Sequence, residues 1–145
     1  MLIPRPDSEV LIEAIEPLIT QKPLRVLDIG TGSGALIISI AHLVHSKGHT
    51  GWAFHATDIS QAALQIAKQN ALRLLPDVAI DYACEDLWPK DVHYDRIISN
   101  PPEITNHAYT KLDKSVRDYE PTLALKGGSD GLDIYRRLID GMPDY

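Results

Sequence analysis

Between positions 8 and 19 apolar pairs recur at Val10-Leu11, Ala14-Ile15 and Leu18-Ile19, four residues apart. That spacing lays one buried stripe along a helix. Asp7 or Ser8 can cap it, and Pro17 predicts a kink or an early end, because proline is awkward in the last turns. The period then shortens. Leu24–Ile29 reads as a short buried strand between Pro23 and a run of glycines, and Ala35–Val44, apolar on most faces, reads as a helix. A second strand runs from Trp52 to Thr57 and ends at Asp58. Ser60 is a good N-cap for a helix to about Leu75, with Ala63, Ile66, Ala67 and Asn70-Ala71 along one side and Pro76 as its stop. Val78–Ala83 and Arg96–Ser99 are short and β-favouring, and predict a third and fourth strand. Gly127-Gly128 marks a turn before a final helix over Leu132–Ile139.

Strands that alternate with helices at this spacing predict a parallel sheet with right-handed crossovers, a Rossmann-like α/β fold. After Pro102 the pattern is polar and irregular until Leu123. That is too long for an ordinary connection and predicts a functional loop.

At 145 residues the chain suits a single domain, here residues 1–145. Hydrophobic content of 44% and charged content of 23% are ordinary for a soluble globular protein. No apolar run approaches the ~20 residues that span a bilayer, and Met1–Arg5 lacks the pattern of a signal peptide. No membrane partner is expected. The single cysteine, Cys84, excludes an internal disulfide and suits a reducing compartment, so the expected location is the cytoplasm. A net charge of −6 with no basic run disfavours a nucleic-acid partner. His42 and His45 lack a third ligand at suitable spacing, and no metal is expected.

Candidate chemistry sits first at Asp28-x-Gly30-x-Gly32-x-Gly34, where strand becomes helix. Glycines there permit positive φ and let a ligand approach the backbone, and the helix start offers free N–H groups. Asp28 could bind an ammonium or hold the turn, but would repel a pyrophosphate. The dinucleotide fingerprint is G-x-G-x-x-G, and the G-x-G-x-G spacing here points instead to S-adenosylmethionine, which has no phosphates. A tight turn without a ligand is the alternative. Thr31 and Ser33, within the turn, are counted with the cofactor-binding residues. Asp58 suits ribose hydroxyls or caps the Ser60 helix, and Ile59 is counted with it. Asp86 could accept from an adenine amino group while Leu87 packs on the ring, or it is a solvated loop acid.

Asn100-Pro101-Pro102 follows the fourth strand at its carboxyl end, where open α/β sheets bind ligands. Two prolines fix φ and remove two donors. The Asn100 side-chain oxygen and the Pro101 carbonyl can then accept both hydrogens of a substrate –NH₂. Alignment with an activated methyl group would supply most of the rate. A proline-stiffened turn is the bland alternative.

With these motifs the chain resembles the N5-glutamine methyltransferases of the HemK/PrmC type, which modify peptide-chain release factors. The resemblance runs over nearly the whole chain. It takes in Ile3-Pro4-Arg5-Pro6-Asp7-Ser8-Glu9, Asp28–Gly34, Asp58, Asp86, Ser99–Pro102, Tyr119-Glu120-Pro121 and Gly128-Ser129-Asp130-Gly131-Leu132-Asp133-x-Tyr135. It implies that residues 30–34, Asp58, Asp86-Leu87 and Asn100 touch S-adenosylmethionine, whose product is S-adenosylhomocysteine. It implies too that Asn100, Pro101, Pro102 and residue 103 hold the glutamine of a release factor. The family usually has Tyr or Phe at that last position, where this chain has Glu103. An aromatic there would pack on the amide; a carboxylate brings charge and water. The family also carries an N-terminal helical domain and further strands, so the chain is expected to be a partial catalytic domain with an exposed sheet edge. Two other readings share part of the pattern. One is an adenine-N6 or ribosomal-RNA base methyltransferase, the other a non-catalytic S-adenosylmethionine-binding module.

Overall fold

A computed structural model describes residues 6–90, 92–102, 105–110 and 127–142. The chain forms two compact units, Ile3–Asn100 and Pro101–Tyr145 with Met1–Leu2. In the first, β1 (Arg25–Ile29), β2 (Ala53–Asp58), β3 (Ile80–Cys84) and β4 (Arg96–Ser99) form one sheet of order β3-β2-β1-β4. Every pairing is parallel. Ile29 pairs with both Thr57 and Ser99, and Asp58 pairs with Cys84, so the carboxyl ends of all four strands meet along one margin. β3 and β4 each have a strand neighbour on one side only among the described residues.

Helix α1 (Pro6–Ile15) gives way to a 3-10 turn over Glu16–Leu18 with Pro17 in its opening positions. The proline, which lacks an N–H, ends the α-helix as its chemistry requires. Helix α2 (Ala35–Ser46) buries Ile37, Ile40, Ala41 and Val44 against Val26, Phe54 and Ala56 of the sheet. Ser60 caps α3 (Gln61–Leu74) by accepting from the Ala63 N–H at 3.2 Å. The small side chains Ala63, Ala67 and Ala71 form its buried stripe, with Ile66 and Asn70 half-buried beside it.

The strand–helix alternation breaks between β3 and β4, which no helix connects among the described residues. Side-chain anchors hold this crossover instead. Tyr94 is buried, shares a hydrogen bond with His55 of β2, and lies under the Arg25 guanidinium. Asp95 accepts from the Arg25 N–H at 2.7 Å and returns its own N–H to the Arg25 carbonyl at 2.9 Å.

In the second unit, α4 (Asn106–Thr110) lies in the stretch expected to be irregular. Thr105 explains it, its hydroxyl accepting from the Ala108 N–H at 3.1 Å as a cap. Helix α5 (Asp133–Asp140) matches the expected final helix, and Arg136 bridges its first turn to Asp130. The rest of the expected loop, residues 1–5, Glu103, Tyr119-Glu120-Pro121 and Tyr145 lie outside the described residues, as do the side chains of Asp7 and Ser8. No helix among the described residues is long and apolar enough to cross a membrane.

Candidate active site

The glycine turn leaves β1 and is fastened on several sides. The N–H groups of Gly30 and Thr31 both donate to the Thr57 carbonyl at 2.9 Å, and Gly34 donates to the Thr31 carbonyl at 2.9 Å. Asn70 of α3 donates its side-chain amide to the Ser33 carbonyl at 3.0 Å. Two glycines do different work. Gly32 has φ +57 and open space where a side chain would stand, so a ligand can reach the backbone. Gly34 has φ +81, and a Cβ there would meet Ile38 Cδ1 at 3.0 Å and Ala67 Cβ at 3.1 Å, so its bareness lets α3 pack closely.

Asp28 is buried within the fold, and its Oδ2 accepts from the Thr31 hydroxyl at 2.7 Å while Oδ1 has no hydrogen-bond partner among the described residues. Burial pushes its carboxyl up to about 7; the Thr31 hydroxyl and the Ile37 N–H pull it down, and the Asp58 charge pushes it up further. Of the two roles open to Asp28, the buried one supports holding the turn. The Ile37 N–H belongs to the first turn of α2, so the Asp28 carboxyl stands at the start of that helix and is neutral until the pH approaches about 7. Above that pH, where Asp28 ionises, a second anion there would be repelled, which disfavours a pyrophosphate.

A stability effect follows. Unfolded, Asp28 loses its proton near its ordinary value of 3.8, whereas the folded protein keeps it to about 7. In that window the unfolded chain binds fewer protons, so Asp28 makes stability fall as pH rises from about 4 to about 7, and then level off. Asp28→Asn is expected to remove that component, worth on the order of 4 kcal/mol at most, less the constant cost of an amide N–H₂ without an acceptor. Urea midpoints of both proteins between pH 5 and 8 check this; parallel profiles would contradict it.

Asp58, at the end of β2, is held by both oxygens: Oδ2 accepts from the Gly32 N–H at 2.9 Å and Oδ1 from the Ser60 N–H at 2.8 Å. A carboxylate offers about four acceptor positions, so vicinal hydroxyls can still be bound. The helix-capping bond itself comes from Ser60, not Asp58. Ile59, beside it, is exposed and offers an apolar surface. Asp86 is exposed and Leu87 half-buried, with Leu87 at φ +75. Thr57 ties this pair to the turn by donating its hydroxyl to the Leu87 carbonyl at 3.2 Å.

Asn100 is exposed and follows Ser99, whose hydroxyl donates to the Ile29 carbonyl at 2.8 Å. The fold therefore assembles residues 28–34, 58–59, 86–87 and 100 along one sheet margin. Pro101, buried, and Pro102, half-buried, belong to the second unit. Thr57 and Asn70 act in the site without standing out in the sequence: a threonine ending a strand and an asparagine on a helix carry no signal of what they brace. Among the described residues no three His, Cys, Asp or Glu are grouped to hold a metal.

Residues 6–118 match the model of the family described as methyltransferase small domain. The release factor glutamine methyltransferase of Bradyrhizobium diazoefficiens is 42% identical over 95% of this chain and 46% of its own length. That of Streptococcus pneumoniae is 40% identical over 100% and 50%. The chain thus spans about half the length of the curated relatives it matches. Among solved structures, the hMettl16 catalytic domain in complex with MAT2A 3'UTR hairpin 6 superposes with a TM-score of 0.66. The match covers 96% of this chain and 52% of that one at 23% identity, a likeness of fold alone. With a parallel Rossmann-like sheet and a family match over most of its length, the chain belongs to the methyltransferase small domain family.

Proposed function

We propose that residues 30–34, Asp58, Ile59, Asp86, Leu87 and Asn100 hold S-adenosylmethionine. We propose further that the protein methylates the side-chain amide nitrogen of a glutamine in a peptide-chain release factor: the N–C bond forms as the S–CH₃ bond breaks, leaving S-adenosylhomocysteine, and one amide proton is released to water. The observation that carries this is the pairing of Ile29 with Ser99: the next residues along each strand are Gly30 and Asn100, so the two motifs leave the sheet side by side. The donor set fits the cofactor. A pinned carboxylate at Asp58 suits ribose hydroxyls, Ile59 and Leu87 suit an apolar base, and the acids at 58 and 86 disfavour phosphates. When bound, S-adenosylmethionine supplies a methyl group already activated on sulfur.

The protein's own part is to bind and align. The Asn100 side-chain oxygen and the Pro101 carbonyl accept the two amide hydrogens, and the stiff Pro101-Pro102 backbone keeps those acceptors in place. Alignment matters most, since an amide nitrogen is a weak nucleophile and no strong base is called for. The glutamine reading is supported by the names of the relatives that match nearly the whole chain. Release factors and the single cysteine both suit a cytoplasmic setting.

The test is radiolabelled methyl transfer to a Gly-Gly-Gln peptide beside an adenine-containing oligonucleotide. Label on the peptide supports the reading; label on the oligonucleotide supports base methylation, and cofactor binding without transfer to either supports a binding module. Glu103→Tyr is expected to raise transfer to the peptide, because an aromatic ring would pack on the amide and exclude water. No gain at equal cofactor affinity would count against that packing.

A further inference from the structure

We propose that Thr57 sets discrimination for the adenine base, by tying the backbone of Leu87 to the strand end that braces the glycine turn. This rests on the cofactor reading above. Thr57 is 2% exposed and faces two parts of the site at once. Its carbonyl accepts from Gly30 and Thr31, and its hydroxyl donates to the Leu87 carbonyl. The neighbouring Asp58 carbonyl accepts from the Glu85 N–H at 3.2 Å, so the end of β2 holds the crossover on both sides of Asp86.

The crossover needs such a fastening. Among the described residues it has no helix to position it, and its far end is anchored at Tyr94 and Asp95 rather than near the site. Leu87 is the one non-glycine residue with a positive φ among the described residues. L-residues avoid that conformation unless the surroundings impose it, and the Thr57 hydroxyl is the bond that reaches it there. Because Leu87 follows Asp86, fixing its carbonyl fixes where the acid that would read the adenine amino group stands. Thr57 is a positioning residue: it acts through Asp86 and Leu87 and touches no ligand itself.

Thr57→Val keeps the shape and the main-chain carbonyl, so the glycine turn keeps its support while the Leu87 bond is lost. Calorimetry would compare S-adenosylhomocysteine with its inosine analogue, which carries a 6-oxo group in place of the amino group. Wild type is expected to prefer the adenine form by about tenfold or more, the worth of one hydrogen bond to a charged group. Thr57→Val is expected to weaken adenine binding by about tenfold and the inosine analogue by less than about threefold, and Thr57→Ser to restore the preference. A purely structural role would weaken both ligands alike and leave the ratio unmoved. Thr57→Ala serves if the valine variant does not fold. An undiminished preference in the variants, or none in wild type, overturns the inference while the cofactor reading stands. Wild type that binds neither ligand overturns both.

Discussion

Asn100→Ala is expected to lower kcat/KM for a Gly-Gly-Gln peptide by on the order of 10²–10³-fold, the cost of losing one well-placed polar group at a reacting centre. Affinity for S-adenosylhomocysteine should fall by less than about tenfold, since Asn100 is one of several groups proposed to hold the cofactor and the turn at residues 30–34 and Asp58 remain. The split follows from position. Asn100 is exposed at the end of β4, beside the strand that bears the turn, and little of the fold hangs on it. Asn100→Asp keeps an acceptor oxygen and should fall between the two. Steady-state kinetics with peptide, together with calorimetry, check this; an alanine variant within about threefold of wild type in turnover sinks the clamp, because alignment is most of what it offers.

Asp58→Ala is expected to weaken S-adenosylhomocysteine binding on the order of 10³-fold, for it removes both the ribose acceptors and the group that pins Gly32. Stability should suffer less. Ser60 caps α3 through its own hydroxyl, and the turn keeps its bonds to the Thr57 carbonyl. Asp58→Asn is no conservative change here: both oxygens face backbone N–H donors, so an amide N–H₂ would meet one of them head-on. It should bind nearly as poorly as the alanine variant. Calorimetric affinity with a thermal melt distinguishes the cases, and an alanine variant that binds within about threefold of wild type rules out a ribose role worth more than one weak bond.

Most of the local structure was legible along the chain. Arg96–Ser99 forms the strand expected of it, Ser60 caps the helix it was expected to cap, and Pro17 shortens α1. These rest on short-range chemistry: an alternation, a side-chain acceptor, a missing N–H. The breaks in the pattern were harder to read. The crossover from β3 to β4 has no helix among the described residues, and its anchors, His55 with Tyr94 and Arg25 with Asp95, join residues far apart in sequence. Asp28 was visible as an acid beside glycines, yet its burial and raised pKa depend on what closes over it.

The sequence by itself determined the parallel α/β plan, the glycine turn, the acids at 58 and 86 and the Asn-Pro-Pro tripeptide, because each is written in neighbouring residues whose conformational limits are local. Which of those groups meet was decided by the tertiary structure. Strand register brought Gly30 beside Asn100, and the twin bonds of the Thr57 carbonyl and hydroxyl joined the turn to Leu87. The three-dimensional fold also set the difference between Asp28 and Asp58, identical side chains along one sheet margin. One is enclosed with an oxygen that finds no partner among the described residues, and the other is held open by two backbone donors. Solvation decides what a carboxylate does, and solvation is a property of the packed molecule rather than of the residue.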